Sequence, residues 1–123
     1  MQNDNAKFKN EFKKRLYSFV LKLVKFIDKL DKSSVSEVMG KQLLRSGTSI
    51  IANYIEANSA SSKKDFTNFF TYSLKSANES KVWLTLLRDL EKGNKKEIEW
   101  LIRELVEISN IFASSILKIK GKR

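Results

Sequence analysis

The chain has 123 residues, with 24 basic and 14 acidic side chains and a formal net charge of +10. It contains no cysteine, histidine or proline, which excludes disulfides, thiol nucleophiles, imidazole bases and nearly all zinc chemistry, and permits long unbroken helices. At 41% hydrophobic it can bury a core, and its length fits one domain over residues 1–123.

Three breaks, at Ser33-Ser34, at 58–62 and at Gly93-Asn94, divide the chain into four segments. The first, predicted as a helix over 6–31, sorts at 100° per residue into two arcs. Phe8, Phe12, Leu16, Phe19, Val20, Leu23, Phe26, Ile27 and Leu30 share one arc; Lys7, Lys14, Arg15, Lys22, Lys25, Lys29 and Lys32 share the other. The second helix is predicted over 35–58, capped by Ser34 or Ser36. Its buried stripe is Leu43, Leu44, Gly47, Ile50, Ile51, Tyr54 and Ile55, with Gly47 allowing close backbone approach.

The third helix is predicted over 62–92. Ser62-Lys63-Lys64-Asp65 resembles a capping box, and Phe66, Phe69, Phe70, Ser73, Ala77, Ser80, Leu84 and Leu87 line up behind it. Gly93 reads as its C′ residue. The fourth is predicted over 95–119, opened by Asn94-Lys95-Lys96-Glu97. Its apolar face runs through Ile98, Leu101, Ile102, Leu105, Ile108, Phe112, Ile116 and Ile119. Short connections between helices roughly 33–45 Å long force antiparallel neighbours. The expected fold is an all-α, antiparallel up-down-up-down four-helix bundle.

The apolar stripes are wider than one core requires. Tyr17, Leu21 and Val24 flank the first helix, Tyr72, Val82, Trp83 and Leu86 widen the third, and Trp100 and Ile111 the fourth. A contiguous apolar patch of that kind predicts self-association. The second helix also carries a polar stripe: Arg45, Ser49, Asn53 and Glu56, spaced four, four and three, lie on one face. By spacing alone this is a solvated helix face.

The segments QLLRSGTSIIANYIEA and SKKDFTNFFTYSLKSANES, which cover about a third of the chain, resemble the four-helix-bundle proteins encoded in intervening sequences of bacterial 23S rRNA genes. Gln42, Leu43, Arg45, Ser49, Ile50, Asn53, Ile55 and Glu56 carry the first part of the resemblance. Ser62, Lys63, Asp65, Phe66 and Phe69 carry the second, and Ser76 and Glu79 the third. The chain departs at Ala57-Asn58, where the family often has Glu-Gly, and at Ile51, where it often has proline, so its second helix should be straighter. The resemblance implies a homopentamer of bundles whose function is largely uncharacterised. It also implies kinship with the accessory proteins of diversity-generating retroelements, which bind nucleic acid and a reverse transcriptase. Under it, Arg45 with Glu56 or Glu79 becomes a candidate charge-assisted network between helices or subunits, with Ser49, Asn53 and Ser76 beside it.

The charge is uneven. Residues 1–32 carry nine basic and four acidic side chains, and 118–123 carry four basic and none acidic. An antiparallel bundle brings these ends together, placing Lys7, Lys9, Lys13, Lys14 and Arg15 near Lys118, Lys120, Lys122 and Arg123. Such a basic pole fits phosphate contact with RNA or DNA, salt-sensitive and weakly sequence-specific. The alternative expectation is a protein-interaction scaffold or accessory subunit, with the lysines serving solvation. An acid–base role for Glu56 and Glu79 lacks an accompanying nucleophile, metal set or phosphate loop, so neither catalysis nor a cofactor is expected. The polar start MQNDNAKFKN lacks the apolar run of a signal peptide, and no apolar run approaches a membrane span. A bacterial cytoplasm is the expected compartment.

Overall fold

Beyond the start of the first helix, the helix ends lie where nearby side chains or a tightened turn satisfy free backbone groups. The structure, a computed structural model, describes residues 4–121. Its helices are α1 Asp4–Asp28, α2 Ser34–Asn58, α3 Lys63–Asp89 and α4 Lys95–Ile119. The Ser62 side chain accepts the Asp65 N–H, and the Asn94 side chain accepts the Glu97 N–H, as their spacing predicts.

The ends of α2 at Asn58 and of α4 at Ile119 match expectation, whereas the ends of α1 and α3 and the cap of α2 differ. α1 stops at Asp28, short of 31, because Lys29 and Leu30 turn back to the Phe26 and Ile27 carbonyls. The Asp31 carboxylate then accepts the Ser33 N–H at 2.9 Å. Ser33, rather than Ser34 or Ser36, caps α2, its hydroxyl accepting the Ser36 N–H at 3.2 Å. α3 ends at Asp89, not 92, in a Schellman closure: Lys92 N–H donates to the Leu87 carbonyl at 2.8 Å and Glu91 N–H to the Arg88 carbonyl at 3.0 Å. The left-handed C′ residue is therefore Glu91, at φ +58°, and not Gly93. Gly93 is needed for another reason. Its own φ is +81°, and a Cβ there would lie 2.6 Å from the Phe26 ring.

α1 packs on α2, α2 on α3, α3 on α4 and α4 on α1, with no diagonal packing among the described residues. This is the four-helix bundle that the periodicity predicts. The buried positions follow alternating steps of four and three in every helix, the spacing of a left-handed bundle seam. In α1 they are Phe12, Leu16, Phe19, Leu23 and Phe26; in α4, Ile98, Leu101, Leu105, Ile108 and Phe112. Those seams are bulky. The seams of α2 and α3 are interrupted by small residues: Ser36, Gly40 and Gly47 on one, Ser73, Ala77 and Ser80 on the other. Side-chain size therefore sets helix separation, and α2–α3 is the most extensive contact and α1–α4 the sparsest.

The hydroxyls of Ser46, Ser73 and Ser80, buried between α2 and α3, are satisfied. Ser46 and Ser80 hydroxyls share a hydrogen bond of 2.8 Å, and Ser73 donates to the Ile50 carbonyl at 2.9 Å. The close approach at Gly47 is to α1, where a Cβ would collide with the Leu23 side chain. One ring from each helix, Phe12, Tyr54, Phe70 and Phe112, forms a layer with centroids 5.1–6.1 Å apart. Edge-to-face rings in such a layer lock the four helices in register at that end.

Three residues assigned to buried stripes are exposed: Phe8, Leu44 and Ile55. Each lies at the margin of its arc, where the alternating step of four and three turns it off the seam. No helix among the described residues is long and apolar enough to cross a membrane.

Candidate nucleic-acid interface

Up-down-up-down connectivity gathers the starts of α1 and α3 and the ends of α2 and α4 at one pole, just beyond the aromatic layer. Lys7 and Lys9 precede Phe12, and Lys118 and Lys120 follow Phe112, by three to eight residues, so their backbones stand roughly 5–12 Å outside that layer. Lys118 shares a groove with Phe8 of α1. Lys13 and Lys14 sit level with the layer on exposed α1 surface. The pole also contains Lys63 and Lys64 at the start of α3, which line a groove with Ile119 and Lys120. Sequence reasoning missed these two by pairing only the chain's ends. The signal was present, because the same connectivity puts the start of α3 there. Lys122 and Arg123 lie outside the described residues.

The two poles differ in their balance of charge. Among the described residues, the eight lysines at this pole (Lys7, Lys9, Lys13, Lys14, Lys63, Lys64, Lys118 and Lys120) make no ion pair. At the opposite pole Lys29 binds Glu97 at 2.7 Å, Lys92 binds Asp31 at 3.1 Å and Arg88 binds Asp89 at 3.0 Å. There, residues 28–41 and 88–99 hold seven basic and seven acidic side chains. The first pole has four acidic residues in its sequence, Asp4, Glu11, Glu56 and Asp65, against its eight lysines. One pole is strongly positive and the other near neutral.

Arg15 does not join that pole. Its guanidinium is held by Glu104 of α4 through two hydrogen bonds of 2.8 Å, with Glu107 at 3.3 Å. The bond to Glu104, more than any other influence, raises the Arg15 pKa. Its charge is thereby offset within the fold.

The polar stripe gathers on the outer α2–α3 face. Arg45 pairs with Glu79 of α3, and its guanidinium also donates to Gln42 Oε1 at 2.9 Å and 3.1 Å. Trp83 Nε1–H donates to Glu79 at 3.0 Å. The candidate network is thus formed within one chain, between helices. Gln42 and Trp83 belong to it, and Trp83 was legible as the residue one helical turn after Glu79. Ser49 and Asn53 instead donate back to the carbonyls four residues earlier, at 2.8 Å and 2.9 Å. The Ser76 carbonyl accepts the Ser80 hydroxyl. Glu56 makes no ion pair among the described residues. It lies eleven residues beyond Arg45 on α2, roughly 16 Å along the helix, so Glu56 and Glu79 stand too far apart for a shared proton. No cluster of three or more potential metal ligands occurs among the described residues.

The family model described as 23S rRNA-intervening sequence protein matches residues 9–114. Among solved structures, a protein of unknown function from the S23 ribosomal protein family of Bacteroides thetaiotaomicron VPI-5482 is similar, with 37% sequence identity and a TM-score of 0.80. The alignment covers 88% of this chain and 96% of that one. No curated protein matches.

Proposed function

The chain belongs to the 23S rRNA-intervening sequence protein family, and from that premise we propose that it is a non-enzymatic nucleic-acid-binding bundle that contacts phosphates through its basic pole. The observation that carries this reading is the balance of charges. Among the described residues, eight lysines at one end have no carboxylate partner and few acids near them, whereas at the opposite pole seven basic side chains are matched by seven acidic ones. Unneutralised ammonium groups on one surface attract polyanions and release their counterions on contact. Recognition through phosphates alone is weakly sequence-specific. Fluorescence anisotropy with labelled RNA and duplex DNA at about 50 mM salt tests it, and absence of binding at micromolar protein rejects it.

We propose also that the working unit is a homo-oligomer. Tyr17, Leu21, Leu44 and Ile55 are exposed, with Val20, Val24 and Ile51 half-buried beside them, so apolar side chains flank the α1–α2 seam. Such a surface favours association with a second copy. An oligomer would repeat the basic pole and strengthen polyanion binding. Light scattering giving 14.2 kDa, the mass of one chain, at micromolar concentration rejects it.

A further inference from the structure

Trp100 lies away from the basic pole, in a groove between α1 and α4. The groove has a volume of about 360 Å³, within the range of small-ligand sites, and is lined by Lys22, Lys25, Lys29, Lys96 and Glu97 around the indole. The ring is half-buried and packed against the core, which fixes its position. Lys22 Nζ stands 4.0 Å from the ring centroid, so an exposed lysine covers that part of the indole. Lys29 is engaged by Glu97 at 2.7 Å. Lys22, Lys25 and Lys96 make no ion pair among the described residues.

The simpler account is that Trp100 and Lys22 merely seal the sparse α1–α4 seam. That explains the indole but gives no role to the three unpaired ammonium groups that line the same groove, whose combined field attracts an anion. We propose that this groove is a stacking site for one unpaired base of a bound single strand, with Lys22, Lys25 and Lys96 holding the flanking phosphates. The inference rests on the nucleic-acid reading of the pole. Lys22 lies eight residues beyond Lys14 on α1, roughly 12 Å, so one strand can touch both. A base–indole stack is worth roughly 5- to 150-fold in affinity, whereas the lysine–indole contact that it displaces is worth about 2- to 5-fold. The base therefore wins the ring, and the displaced Lys22 remains within reach of a phosphate. A duplex keeps its base faces stacked inside and cannot use this site.

The test uses the full chain with Trp83→Phe, leaving Trp100 as the sole indole. Titration with an oligouridylate of about 12 nucleotides should quench its emission, and a duplex of equal length should not. Trp100→Leu in the otherwise unchanged chain should weaken oligouridylate binding by roughly 5- to 150-fold and duplex binding by less than about 2-fold. The retained duplex affinity serves as the check on folding. An unquenched Trp100, or equal losses for both ligands, overturns the stacking site while leaving the basic pole standing. Failure of the unchanged protein to bind either ligand overturns both.

Discussion

Arg15 of α1 and Glu104 of α4 are joined by two parallel hydrogen bonds of 2.8 Å across 89 residues of sequence. They bridge the helix pair with the sparsest packing, where bulky side chains hold the backbones apart. A planar guanidinium can span that gap with fixed geometry, and an ammonium cannot.

A double-mutant cycle of Arg15→Ala and Glu104→Ala in urea denaturation should give a coupling of about 1 kcal/mol. The bidentate geometry favours a higher value, but Arg15 is about one-third exposed (34%), and solvent screening lowers it. Arg15→Lys should recover less than half of the coupling. A cycle with no coupling would show that the pair adds nothing to stability.

The same pair makes a prediction about binding. Each lysine removed from the basic pole, Lys63→Ala or Lys118→Ala for instance, should lower the slope of log K against log salt by about 0.7–0.9 if it contacts a phosphate. Arg15→Gln should leave the slope unchanged, because Glu104 already offsets that charge. A loss at Arg15 as large as at Lys118 would place the interface elsewhere.

At the α3–α4 turn two adjacent substitutions should act in opposite directions. Glu91→Gly relieves a left-handed side-chain residue and should raise stability by about 1 kcal/mol. Gly93→Ala introduces the same strain and drives a Cβ into Phe26, so it should lower stability by about 2 kcal/mol or more. Chemical-denaturation midpoints of the two variants decide it.

Asp31 should make stability depend on acid pH. The Ser33 side chain first, then the Ser33 N–H, with Ser36 and Lys92, hold its carboxyl below the usual value of 3.8. The folded state thus binds this proton more weakly than the unfolded state. The contribution is fully present above the usual value and is lost as pH falls through the lower folded value. Asp31→Asn keeps an acceptor for the Ser33 N–H but removes the charge. The gap in melting temperature between the two proteins should be constant near neutral pH and shrink in acid. A gap that widens in acid would reverse the assignment.

The helices, their order and two of the caps were readable because their causes are local. Ser62 and Asn94 each reach a backbone N–H three residues ahead. The missed details were cooperative. Ser33 caps α2 in a turn that also contains the Asp31 carboxylate. Glu91 takes the left-handed position that closes α3, while Gly93 serves further on, against Phe26. Lys63 and Lys64 were read as cap neighbours, while their place beside Lys120 follows from how α3 and α4 align.

By itself the sequence determined the number of helices, their breaks and the faces they bury, because apolar spacing and capping act over a few residues. It also determined that positive charge would collect at one pole. Only the tertiary structure decided which cations there are free. Arg15 and Lys14 are adjacent and equally charged in sequence, yet Arg15 meets Glu104 and Lys14 meets no carboxylate among the described residues. Neutralisation depends on which acid another helix brings within about 3 Å, and no periodicity along one helix encodes that distance.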